Sequence, residues 1–84
     1  DGRSDFYSLG ATLFCMLTGR VPFEGSMAQV IDQHLNKPPP LDKIQHLPKC
    51  VIELVGKLLQ KQPNQRPRDA SILYQEITSC IENI

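Results

Sequence analysis

The apolar positions of this chain fall into four stretches with helical spacing, and the first stretch is the longest. It covers residues 5–19 and predicts a helix of about 14 residues. From Leu9 to Leu17 its only polar side chain is that of Thr12, so the helix should be buried nearly all round. A domain of 84 residues buries only about 60% of its unfolded surface and cannot supply that cover. We therefore expect these residues to be part of a larger domain.

The ends of this first helix are marked by residues that favour caps. Ser4 or Asp5 is predicted to cap its N-terminus, and Asp5 is favoured at the positive end of the helix dipole. Gly19 can adopt the left-handed conformation that closes a helix. Pro22 cannot continue a helix, so the helix is predicted to stop before a turn that folds Phe23 back onto apolar surface.

The second stretch predicts an amphipathic surface helix. It follows a loop ending in the capping residue Ser26, and its apolar positions are Met27, Val30, Ile31 and Leu35. The proline triplet at residues 38–40 ends this helix and predicts an extended segment. The triplet is either a spacer between packed helices or, alternatively, a ligand for a domain that binds polyproline II helices.

Two further helices complete the pattern, and no stretch has the alternation typical of a strand. The third helix is predicted from Pro48 and is mostly core-facing, with apolar positions Val51, Leu54, Val55, Leu58 and Leu59. Residues 62–67 form a proline-bounded loop. Asp69 is predicted to cap the fourth helix, whose stripe is Leu73, Ile77, Cys80, Ile81 and Ile84. The sequence therefore predicts an all-α fold.

Charge and hydropathy exclude two classes of partner. Nine basic and nine acidic residues give a net charge of zero, so neither a nucleic acid nor an anionic membrane is predicted as a partner. The longest apolar run, residues 13–17, is far shorter than the roughly 20 residues that span a bilayer. We expect a cytosolic protein whose segment has no membrane contact.

The three cysteines, Cys15, Cys50 and Cys80, are widely spaced. An odd number without a C-x-x-C pair fits neither a disulfide framework nor a zinc ribbon, so reduced and buried thiols are expected. His46 and Cys50 lie four residues apart, but no second pair completes a zinc site. Cys15 as a nucleophile with His34 as its base is disfavoured, because burial in an apolar helix destabilises a thiolate.

Asp5 and Arg66 are the two charged residues with unusual positions. Asp5 lies at the head of a helix that should be buried, and Arg66 lies in a loop between two apolar helices. Each is either an ordinary surface charge or a buried charge whose partner lies in another part of the protein. A buried charge without a partner costs about 3–5 kcal/mol.

Three motifs resemble the last third of the eukaryotic-like protein kinase domain. They are RSDFYSLG at residues 3–10, LTGRVPF at residues 17–23 and LLQKQPNQRP at residues 58–67, in the family's order and spacing. The third motif looks like the serine/threonine type, and the first resembles bacterial and related branches. The resemblance covers residues 1–84 and implies that the four helices are the family's αF, αG, αH and αI, an incomplete domain.

The resemblance also implies roles for individual residues. Asp5 matches the aspartate that hydrogen-bonds backbone N–H groups of the catalytic loop. Arg66 matches the arginine that pairs with the glutamate of the Ala-Pro-Glu motif, which is absent here. The rest of the kinase domain would be one partner, and a protein substrate docking on Met27–Asn36 would be another.

In the family, ATP and Mg²⁺ are contacted by residues outside this segment. The resemblance therefore implies no catalytic, cofactor-binding or metal-binding residue here, and an inactive fragment of an active parent. The alternative is a pseudokinase or helical interaction module without phosphoryl transfer.

Overall fold

The structure, a computed structural model, describes residues 2–82. They form four α-helices and two 3₁₀ helices and contain no β-strand, so the all-α prediction is confirmed. The helices are α1 (Gly2–Thr18), α2 (Met27–Asn36), α3 (Lys49–Leu58) and α4 (Ala70–Glu82), with 3₁₀ helices at Leu41–Ile44 and Pro63–Gln65. Within residues 2–82, none of these helices is both long enough and apolar enough to cross a bilayer.

Helix α1 begins earlier than predicted. Because it starts at Gly2, the prediction of an N-cap at Ser4 or Asp5 is wrong, and Asp5 lies inside the first turn. A carboxylate is tolerated there since it still lies near the positive end of the helix dipole. The predicted end is confirmed: α1 stops at Thr18, and Gly19 follows with a φ of +75°.

Helices α2 and α4 start where their capping residues predict. The Ser26 hydroxyl accepts a hydrogen bond from the Gln29 N–H, and the Gln29 side chain accepts one from the Ser26 N–H, with distances of 3.2 and 2.8 Å. This reciprocal pair is a capping box. In the same way, the Asp69 carboxylate accepts a hydrogen bond from the Ile72 N–H at 3.0 Å.

The proline triplet follows the end of α2 at Asn36, as predicted, and the 3₁₀ helix after the triplet was not predicted from the sequence. The chain turns at Pro40 into the 3₁₀ helix Leu41–Ile44, and Ile44 becomes fully buried. Ile44 belongs to the core cluster beside α1 and α3. Helix α3 then begins at Lys49, one residue after Pro48.

The core lies between α1, α3 and the first 3₁₀ helix. Its buried centre consists of Phe14, Ile44, Val55 and Leu59. Gly10 allows α1 to approach α3 closely, since a Cβ at this position would lie 2.7 Å from the Leu58 Cβ.

Within the described residues, helix α1 is covered on one side and open to solvent on the other. Phe14 is 1% exposed, whereas Met16 is 75%, Leu17 38% and Leu9 37% exposed. The expected burial all round is therefore not reached within residues 2–82. This is the arrangement expected when the remaining cover belongs to another part of a larger domain.

Candidate functional site

Asp5 presents its carboxylate to solvent from the first turn of α1. Within residues 2–82 its side chain makes no hydrogen bond or ion pair. The carboxylate of Asp5 is therefore exposed and unpaired within the described part of the chain. The predicted contact with a catalytic loop remains a prediction.

Arg66 is half-buried and is held by the backbone of its own loop. Its Nε donates a hydrogen bond to the Gln60 carbonyl oxygen at 2.7 Å, and its Nη2 donates one to the Lys61 carbonyl oxygen at 3.1 Å. The guanidinium carbon lies 4.8 Å from the centroid of the Tyr7 ring, a cation–π contact with α1. Burial lowers the pKa of Arg66, and Tyr7 opposes that shift.

Arg66 is one member of a group that we call the aromatic–cation cluster: Tyr7, Phe23, His34, Lys61 and Arg66. The Tyr7 hydroxyl is hydrogen-bonded to Nδ1 of His34 at 2.7 Å. The His34 ring packs edge-on against both aromatic rings, with centroid distances of 5.6 Å to Tyr7 and 4.8 Å to Phe23. These contacts join α1, the turn before α2, and α2 itself.

Lys61 connects the same cluster to the loop after α3. Its Nζ lies 4.6 Å from the Phe23 ring centroid, donates a hydrogen bond to the Gln33 carbonyl oxygen at 3.2 Å and reaches the Tyr7 hydroxyl at 3.5 Å. A cation at carbonyl groups near the end of a helix is favourable. Lys61 therefore fixes the C-terminal part of α2 against α1.

Burial sets the protonation states in the cluster. It lowers the pKa of His34, with Lys61 adding to the effect, and it raises the pKa of Tyr7 despite the opposing charge of Arg66. The pKa of Lys61 is lowered by burial and then by Arg66. Because its pKa is lowered, the imidazole of His34 is neutral at pH 7, and the contacts of the cluster hold α1, α2 and the loop after α3 together.

Sequence reasoning found Arg66 but missed its neighbours. The sequence indicates His34 only as a base for Cys15. Both residues line one surface cavity of about 530 Å³, but Nδ1 of His34 is hydrogen-bonded to the Tyr7 hydroxyl. His46 is exposed, and residues 2–82 contain no group of three or more His, Cys, Asp or Glu arranged to hold a metal ion. The sequence feature that could have indicated this cluster is the pair of cations, Lys61 and Arg66, around the proline-bounded loop.

Comparison with known proteins gives a family match over most of the chain. A family model described as "Protein tyrosine and serine/threonine kinase" matches residues 1–76. The serine/threonine-protein kinase PknF of Mycobacterium tuberculosis is 44% identical over 69 residues, covering 79% of this chain and 14% of that protein. PknJ of the same species is 38% identical over 71 residues, covering 79% of this chain and 12% of that protein.

A relative of a different kind has a similar level of identity. The hybrid signal transduction histidine kinase G of Dictyostelium discoideum is 45% identical over 80 residues, covering 92% of this chain but 2% of that protein. The chain thus spans only a small part of each of these relatives. The resemblance found in the three motifs is confirmed: the chain is part of a protein kinase domain and belongs to the protein tyrosine and serine/threonine kinase family.

Proposed function

We propose that this chain is the C-terminal part of a serine/threonine kinase catalytic domain, with α1 to α4 corresponding to the family's αF to αI. The observation that carries the proposal is the family match over residues 1–76. The parent transfers the γ-phosphate of ATP to protein serine or threonine in the cytosol. ATP and Mg²⁺ are then held by residues outside this segment, and we expect the 84-residue fragment alone to transfer no phosphate in an assay with Mg·ATP.

Within this proposal, Asp5 positions the catalytic loop. Its carboxylate is exposed and has no partner within residues 2–82, so it is available to accept hydrogen bonds from backbone N–H groups. Such bonds to a charged acceptor are about twice as strong as neutral ones. They would fix the loop without Asp5 contacting the reacting groups.

Arg66 is proposed to pair with the glutamate of the Ala-Pro-Glu motif. The hydrogen bonds to the carbonyls of Gln60 and Lys61 and the contact with Tyr7 hold its guanidinium in one orientation. A guanidinium oriented in advance loses little entropy when it binds a carboxylate. The aromatic–cation cluster would thereby link that glutamate to α1.

Helix α2 is proposed as the docking surface for the protein substrate. It has no buried residue, and three of its four predicted apolar positions face outward, with Met27 81%, Leu35 67% and Ile31 54% exposed, whereas Val30 is half-buried. An amphipathic helix that leaves most of its apolar positions uncovered fits a surface that binds a partner.

The Asp5→Asn variant of the complete parent kinase tests the site. Asparagine keeps an acceptor in the first turn of α1, so the melting temperature should change little, whereas the weakened hold on the catalytic loop should lower kcat. A displacement of about 1 Å at the catalytic group costs about 100-fold in rate. The measurements are kcat and melting temperature.

Asp42→Asn is the matched control, since Asp42 is an exposed aspartate of the first 3₁₀ helix. It should leave both kcat and melting temperature near those of the wild type. A near wild-type kcat for Asp5→Asn would reduce Asp5 to a residue that only favours the start of α1.

A second candidate function is that of a pseudokinase or helical interaction module, in which this kinase-like domain binds a partner without phosphoryl transfer. The similar segment in a Dictyostelium discoideum protein named as a hybrid signal transduction histidine kinase is the reason to test it, because that name does not describe a serine/threonine kinase. Phosphoryl transfer from ATP by the isolated complete domain separates the two. Activity supports the first candidate, and loss of ATP binding supports the second.

A further inference from the structure

Two cysteines from different helices meet at the contact between α3 and α4. Cys50 lies in the first turn of α3, and Cys80 lies near the end of α4. The Cys50 thiol donates a hydrogen bond to the Cys80 carbonyl oxygen at 3.5 Å, although 30 positions separate the two residues. This long-range contact places the thiol of one beside the backbone of the other.

The two thiols also affect each other directly. The pKa of the Cys80 thiol is raised to about 11, chiefly by a side-chain hydrogen bond with Cys50 and further by burial. Both residues line a surface cavity of about 400 Å³. Cys50 is half-buried and Cys80 is 8% exposed, so Cys50 is the more accessible thiol.

We propose that Cys50 and Cys80 are a modification site: a thiol pair that is converted reversibly into a disulfide by exchange with a small disulfide such as oxidised glutathione. The bond would connect α3 to α4. It requires Cβ atoms about 3.5–4.5 Å apart, and the Cys50 Sγ already lies 3.5 Å from the Cys80 carbonyl oxygen. The proposal does not depend on the parent's phosphoryl-transfer activity.

The exchange proceeds in two steps. The Cys50 thiolate attacks one sulfur of oxidised glutathione, forming a mixed disulfide and releasing one glutathione thiolate. The Cys80 thiolate then attacks the Cys50 sulfur and releases the second glutathione. The protein loses two electrons and two protons, and one glutathione disulfide becomes two glutathione thiols.

The two thiols have distinct parts in this sequence. Cys50 attacks first because it is the more exposed thiol. Cys80 is a weak nucleophile at neutral pH because of its raised pKa. The reaction is therefore expected to be slow, and to be driven at equilibrium by the high local concentration of one thiol at the other.

The test uses the complete kinase domain equilibrated in glutathione buffers of increasing oxidised fraction. Mass spectrometry of digested protein should show a peptide pair linked through Cys50 and Cys80, and a reductant should restore both thiols. Closing a loop of about 30 residues should raise the melting temperature by about 5–10 °C. Cys15, which lies on α1, should remain a free thiol or bind glutathione singly.

Variants give the matched comparison. Cys50→Ser should abolish the linked peptide and the oxidation-dependent rise in melting temperature, whereas Cys15→Ser should retain both. If Cys80→Ser fails to fold because Cys80 is buried, the presence or absence of the linked peptide in digested wild-type protein still tests the proposal. Separate glutathione adducts on Cys50 and Cys80, or two free thiols in fully oxidised buffer, would overturn the proposal.

Discussion

At the scale of residues, two cations contact one aromatic ring in the aromatic–cation cluster. Lys61 Nζ and the Arg66 guanidinium lie 5.7 and 4.8 Å from the centroid of the Tyr7 ring. Like charges repel, but each also meets carbonyl oxygens, and the ring faces carry negative charge. A protonated His34 would add a third positive charge without such compensation, so the cluster favours neutral His34.

The protonation of His34 is therefore expected to couple stability to pH. Its pKa is lowered in the folded protein by burial and by Lys61, so the unfolded chain takes up the proton first as pH falls. Stability should be highest above the unfolded value of about 6.5 and should decrease as pH falls through the lower folded value. Urea denaturation of the complete domain between pH 5 and 8 measures this slope.

His34→Asn isolates the contribution of this residue. The amide oxygen can replace Nδ1 as acceptor for the Tyr7 hydroxyl but does not titrate, so the decrease in stability between pH 7 and 5 should become smaller. His46→Asn, at an exposed histidine outside the cluster, is the control. An unchanged slope in His34→Asn would show that other groups cause the pH dependence.

At the scale of elements, the close approach of α1 and α3 depends on Gly10. A Cβ at Gly10 would lie 2.7 Å from the Leu58 Cβ and 3.2 Å from two Leu59 side-chain atoms. A Cβ atom is fixed to the backbone, so this clash cannot be relieved by turning a side chain. The short distance between α1 and α3 therefore depends on the absence of a side chain at Gly10.

Gly10→Ala should destabilise the protein although alanine is the better helix former. The helix preference favours the variant by about 1 kcal/mol, whereas overpacking costs about 1–3 kcal/mol and requires α1 to move away from α3. We expect a net loss of up to about 2 kcal/mol. Urea denaturation of the complete domain measures it.

Gly56→Ala is the matched control for this prediction. Gly56 is also a buried glycine inside a helix, but its added Cβ would meet only Leu41 Cδ1, at 3.1 Å. That atom is the end of a flexible side chain and can move aside, so the helix preference should dominate and stability should hold or rise. Equal losses in both variants would contradict the explanation based on Leu58.

The elements were largely predictable from sequence, but their contacts were not. Ser26 and Asp69 predicted the starts of α2 and α4 because capping is a local interaction. The sequence indicated Ser4 or Asp5 as the cap of α1 because both residue types favour that position, whereas α1 already includes Gly2. The meeting of Tyr7, His34 and Lys61 was missed because it depends on tertiary packing between residues up to 54 positions apart.

At the scale of the whole molecule, the uncovered side of α1 and the uncovered stripe of α2 have different explanations. Within residues 2–82, Met16 on α1 is 75% exposed and Met27 on α2 is 81% exposed. Exposure alone does not distinguish the two helices. The proposed position in a kinase domain distinguishes them, because α1 would be a buried central helix in that domain whereas α2 would remain a surface helix.

Met16→Gln and Met27→Gln test this difference with one chemical change at two sites. In the isolated 84-residue chain, both should alter stability by less than about 0.5 kcal/mol, because both side chains face water. In the complete domain, Met16→Gln should bury an amide that lacks partners and should cost about 2–4 kcal/mol.

Met27→Gln should leave the melting temperature of the complete domain unchanged. If α2 docks the substrate, this variant should also raise KM for a protein substrate while kcat stays the same. Equal melting temperatures for the two variants in the complete domain would mean that α1 remains open to solvent there, and the proposed correspondence of α1 with the buried central helix would then be wrong.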